Sequence, residues 1–69
     1  MTANEALDNY LRSLPNRERI AKSRDIREIC QKSRFVLSDW RRGRTPIDIA
    51  WRDKITEALG ENIFANCES

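Results

Sequence analysis

Four residues punctuate this chain. Pro15, Gly43, Pro46 and Gly60 are the only prolines and glycines in 69 positions, too few for the succession of tight turns that a β fold needs. Between them the apolar residues recur at helical spacing. Leu7, Tyr10, Leu11 and Leu14 follow one another at steps of three, one and three and share one helix face over residues 4–14. Thr2 or Asn4 can cap its start through a side-chain oxygen. Pro15 closes it, because the residue before a proline is pushed out of the α region. Asn16 is then the natural cap of a second helix, with Glu18 well placed against the dipole. That helix is expected from about Arg17 to Gln31 on the stripe Ile26, Ile29, Cys30, with Ile20 and Ala21 extending it. The alternative is a break near Ser23, with Ser23 as a fresh cap.

Ser33 is the next cap, for a short helix over Arg34 to Arg42 that carries Val36, Leu37 and Trp40, with Phe35 standing off the stripe. Gly43 ends it, since glycine takes the left-handed conformation without steric cost. Thr45-Pro46-Ile47-Asp48 reads as a further helix start. Thr45 caps, Pro46 occupies the first helical position, and Asp48 adds negative charge at the positive end of the dipole. Ile47, Trp51, Ile55, Ala58 and Leu59 share its inner face, and Gly60 stops it. Ile63 and Phe64 are expected to fold back on the core, and residues 66–69 to fray. The sum is one all-α domain over residues 1–69, a small bundle of four to five helices.

A domain this short buries only about 60% of the surface its unfolded chain exposes, which leaves room for one small core and no deep pocket. No stretch approaches the ~18 apolar residues of a membrane span. The opening MTANEALDNY lacks an apolar signal core, so a cytoplasmic location is expected. Cys30 and Cys67 are expected as free thiols, Cys30 in the core and Cys67 exposed. Without histidine or a CxxC pair there are no ligands for a structural zinc. Catalysis is not expected either: no carboxylate pair marks acid/base work, no base flanks a thiol, and no glycine-rich phosphate loop is present. Neither a cofactor nor a small-molecule effector is expected.

The net charge of +2 conceals a segregation. Residues 17–44 hold ten bases and four acids, net +6, between flanks of −1 and −3. Arginine outnumbers lysine ten to three, and its planar fork suits phosphates and base edges. Charge alone fits a polyanion-facing surface and a solvated helix face alike.

The basic centre coincides with a more specific pattern. Ile26 and Cys30, a polar turn Gln31-Lys32-Ser33, then Leu37 and Trp40 form the apolar skeleton of a helix-turn-helix. Together with Leu37-Ser38-Asp39-Trp40-Arg41-Arg42-Gly43-Arg44-Thr45-Pro46-Ile47 and the following Ala50-Trp51-Arg52-Asp53-Lys54-Ile55, this resembles the lambda-repressor/Cro-like DNA-binding proteins of bacteria and phages. The resemblance spans residues 24–59. It implies sequence-recognising binding of double-stranded DNA, in the service of transcription regulation, with a recognition helix at about 33–42 in the major groove. Position by position it implies Ser33, Arg34, Phe35, Ser38 and Asp39 as groove-facing residues, with Arg41, Arg42 and Arg44 on backbone phosphates. A homodimer reading two half-sites is a further implication. Three positions depart from the family pattern. Arg27 stands where a small residue lets the two helices approach, Gln31 where glycine takes a positive φ, and Lys32 where a hydrophobe follows.

A different class of function fits the same sequence: a protein-interaction module. Its docking surface would be the basic face or an apolar patch of Trp51, Ile63 and Phe64.

Overall fold

The computed structural model describes residues 1–65 and Cys67. Its first helix, α1 (Ala3–Ser13), starts from Thr2. The Thr2 hydroxyl accepts the Glu5 backbone N–H at 3.2 Å, and the Glu5 carboxylate accepts the Thr2 N–H at 3.3 Å. This reciprocal box satisfies two donors that a helix start otherwise leaves open. Asn4, the other cap candidate, has a different task, described below. Leu14 turns to extended backbone ahead of Pro15, as the proline demands.

The second helix, α2 (Asn16–Cys30), runs unbroken past Ser23. Its cap is Pro15, not Asn16. The proline already has the extended ψ of 153° that a cap needs, and its carbonyl accepts the Arg19 N–H at 2.8 Å. Asn16 is thereby drawn into the first turn, where its side-chain oxygen accepts from the Arg19 guanidinium at 2.6 Å.

The turn between α2 and α3 resolves the question raised by Gln31. That residue lies in the left-handed region, φ 55° and ψ 44°, the only non-glycine at positive φ among the described residues. The Lys32 N–H bonds the Arg27 carbonyl at 3.0 Å and the Gln31 N–H the Glu28 carbonyl at 3.3 Å. Both bonds belong to the Schellman arrangement that closes a helix over a left-handed residue. The third helix, α3 (Arg34–Arg42), has the expected bounds. The Ser33 hydroxyl accepts from the Val36 N–H at 3.5 Å. Gly43 at φ 76° lets Arg44 donate back to the Asp39 carbonyl at 2.9 Å.

The fourth helix, α4 (Ile49–Leu59), corrects the sequence reading. Its cap is Asp48, so Thr45 and Pro46 lie in the connection. The physical reason is tertiary. Ile47 is only 1% exposed, inserted into the core from extended chain. The neighbouring carbonyls are satisfied from outside: that of Thr45 by the Asn4 amide at 2.7 Å, that of Ile47 by Arg52 Nε at 2.9 Å. These contacts outweigh a local proline signal. Gly60 at φ 75° ends α4 by donating to the Thr56 carbonyl.

These four helices are the regular elements among the described residues. α1 packs chiefly on α3, and α2 on α4. The core holds Leu7, Leu11, Ile26, Trp40, Ile47 and Ile55, each fully or almost fully shielded. Cys30 is buried, as expected, and burial raises its thiol pKa above the ordinary value while Lys54 and Lys32 pull it partly back. Phe64 folds back and is buried, with Ile63 packed beside it. Cys67, expected in open solvent, is half-buried against the core, its Sγ 3.9 Å from the Ile63 carbonyl. A short helical domain has too few hydrophobes to leave these three in water. The fraying expected at residues 66–69 concerns Asn66, Glu68 and Ser69, which lie outside the described residues, and Cys67, which packs as stated.

Candidate functional site

The outward face of α3 is fixed by what its inward face buries. Leu37 and Trp40 point into the core at 6% and 2% exposure. Residues offset from them must face solvent. Arg34, Phe35 and Arg42 are exposed, and Ser38, Asp39 and Arg41 half-buried. Phe35 is the most open large hydrophobe of the chain, 69% exposed, with the Arg34 guanidinium 5.3 Å from its ring centre. Arg44 is exposed just beyond Gly43.

Four of the sequence-predicted residues meet in one place. Arg34, Ser38, Arg41 and Arg42 line an open groove of about 600 Å³, together with Leu37. The opposite wall comes from α2: Arg19, Ile20, Ser23 and Arg27. Asp8 of α1 closes one end. Five arginines thus face one carboxylate, and that carboxylate is already engaged. Asp8 Oδ1 accepts from Arg41 Nε at 2.8 Å, and Oδ2 lies 3.6 Å from Arg12. Among the described residues these are the ion pairs of the molecule. The Asp39 carboxylate is in no ion pair among the described residues.

Phe35, Asp39, Ser33 and Arg44 lie outside the groove lining. Ser33 spends its hydroxyl on the α3 cap. Arg41 is the sequence-predicted residue whose role shifts most. With its side chain 29% exposed and bonded to Asp8, it ties α3 to α1.

The α2 wall was missed. Arg19, Ser23 and Arg27 fall at i, i+4 and i+8, one helical stripe, so the signal was present in the spacing. It was hidden because charges of both signs flank the apolar stripe of α2. The structure sorts part of those charges: Arg19 and Arg27 line the groove, while Asp25 and Glu28 line a separate, more open cleft with Glu57 of α4. Arg27, which stands where the resemblance has a small residue, is one of the residues lining the groove between α2 and α3.

Two further side chains hold the face in place. Asn4 donates from its amide to the Trp40 carbonyl at 2.8 Å as well as to Thr45, clasping the last turn of α3 to α1. Lys32 lays its ammonium 4.6 Å from the ring centre of Trp51, which in turn packs on Trp40 at 6.1 Å. The lysine ammonium therefore covers the face of an aromatic ring. Of the apolar residues Trp51, Ile63 and Phe64, Phe64 is buried at 8% exposure and the other two are half-buried against the core.

Among the described residues no group of His, Cys, Asp and Glu has the arrangement of a metal site, and no helix is long and apolar enough to cross a membrane. Comparison with protein-family models, with curated proteins and with solved structures returns no match.

Proposed function

We propose that this chain binds double-stranded DNA, with α2, the turn at residues 31–33 and α3 acting as a helix-turn-helix and α3 entering the major groove. The observation that carries this reading is the convergence of five arginines from α2 and α3 on one groove whose single carboxylate is neutralised internally. Such a face attracts a polyanion and gains from counterion release. The acidic cleft of α2 and α4 lies away from it, so the field of the molecule orients the basic face toward the duplex.

The left-handed Gln31 supports the same reading. It gives the turn the backbone that the resemblance requires of a glycine. Phe35 and Asp39, exposed or half-exposed beside the arginines, are the residues for base edges: Phe35 against a thymine methyl, Asp39 accepting from a cytosine amino group. Arg42 and Arg44 take backbone phosphates, and Arg34 either a phosphate or a guanine edge. Transcription regulation is the role this implies, in the cytoplasm of a bacterium or in a phage-infected cell. A homodimer would read two half-sites about 34 Å apart. The alternative protein partner on an apolar patch loses Phe64, which is buried, while Trp51 and Ile63 are half-buried.

The test is selection from random duplex DNA by gel shift at two salt concentrations. Enrichment of a common sequence, with binding that weakens steeply as salt rises, is the expected result. No retained duplex at low salt would overturn the reading.

A further inference from the structure

We propose that the groove between α2 and α3 seats the sugar–phosphate backbone of one DNA strand, and that Arg19 and Arg27 of α2 are phosphate-binding residues. This rests on the DNA-binding reading and divides the face in two. The groove holds the backbone, and the Phe35–Asp39 side of α3 addresses the bases.

The argument starts from charge. Arg41 and Asp8 satisfy each other at 2.8 Å, which leaves Arg19, Arg27, Arg34 and Arg42 to face the groove. Arg19 reaches only the neutral Asn16 oxygen, and the other three are in no ion pair among the described residues. Four guanidiniums crowded on one channel repel one another until an anion enters. The groove is open to solvent, is lined by two helices, and includes the hydroxyls of Ser23 on α2 and Ser38 on α3. A run of phosphates spaced along a strand matches a channel with arginines on both sides, and the fork of arginine binds phosphate oxygens two at a time. The apolar side chains of Ile20 and Leu37 in the lining suit the apolar edge of deoxyribose. Arg27 then has a positive reason to stand where close helix packing would favour a small residue.

The experiment compares two charge-matched double variants on the same helix, Arg19→Ala/Arg27→Ala and Arg17→Ala/Arg24→Ala. Arg17 and Arg24 are exposed and outside the groove. Binding to a selected duplex and to a scrambled one is measured across a salt series, with circular dichroism as the folding check. The groove variant is expected to lose affinity for both duplexes by the same factor, leaving sequence preference intact. Its log–log salt slope should flatten by about 1.8, the value for two phosphate contacts. The control variant should flatten less. Equal losses in the two variants would mean diffuse attraction and overturn the groove assignment while DNA binding stands. A changed sequence preference would also overturn it, since it would put base edges in the groove. If the wild-type chain retains no duplex, the DNA reading itself fails. Binding of polyglutamate through Arg19 and Arg27 would then transfer the groove to an acidic protein partner.

Discussion

Asn4 shows how a single polar side chain can fix a functional face. Its one amide group donates to two carbonyls, of Trp40 and Thr45, across 36 and 41 residues of sequence. Asn4→Ala is expected to cost about 1–3 kcal/mol, because a part-buried acceptor at Trp40 and an exposed one at Thr45 lose their donor. Asn4→Asp, which keeps the size but cannot donate, should be at least as costly in a chemical-denaturation midpoint. Neither bond was legible in the sequence. Asn4 reads there as a cap candidate, and long-range partners leave no local pattern. Trp40 and Cys30, by contrast, are buried where their spacing put them, since the apolar stripe of a helix is a local property. Gln31 lies between these cases. The resemblance required a positive φ at its position, and the chain adopts that φ without a glycine. Gln31→Gly should therefore stabilise the fold by up to about 1 kcal/mol, the steric cost of a left-handed non-glycine residue. An unchanged or lowered melting temperature would mean that the Gln31 side chain contributes more than its backbone costs.

Helix bounds separate local from tertiary causes. α3 begins and ends where Ser33 and Gly43 dictate, because both ends are set by residues adjacent in sequence. α4 does not begin at its proline, because Ile47 is taken into the core and the carbonyls around it are bonded by Asn4 and Arg52. The same distinction runs through the basic residues. Arg41 and Arg42 are neighbours in sequence with different partners: Arg41 joins α3 to α1 through Asp8, and Arg42 is exposed at the groove. Arg41→Ala should lower stability by roughly 1 kcal/mol or less, as a partly exposed pair does. Arg42→Ala should leave the melting temperature alone and reduce DNA affinity and the salt slope. If the two variants behaved alike in both measurements, the division of labour along α3 would be wrong. The arginine wall of α2 was present in the sequence as a stripe, yet only packing revealed which of its charged faces meets α3.

At the scale of the whole molecule, a core of a few large side chains carries the stability. Leu7→Ala should cost about 2–5 kcal/mol, enough to unfold much of a domain this small. Cys30 adds a pH dependence. Burial raises its thiol above the ordinary value of 9.0, so the folded state holds the proton more tightly than the unfolded chain does. Its contribution is complete below about pH 9 and is lost as the pH rises through the folded pKa. Tyr10 acts in the same sense above its ordinary 10.0, through burial first and then the charges of Glu61 and Glu18. Melting temperatures should fall on the alkaline side, and Cys30→Ala should delay that fall. The segment charges of the sequence become, in three dimensions, a basic groove on one side and an acidic cleft on the other. The central claim is that the basic side is made for duplex DNA. A salt titration of the unmodified chain on its selected duplex tests it most directly. With about six phosphates contacted, the log–log slope should lie near −5. A slope near zero, or no complex at low salt, would contradict it.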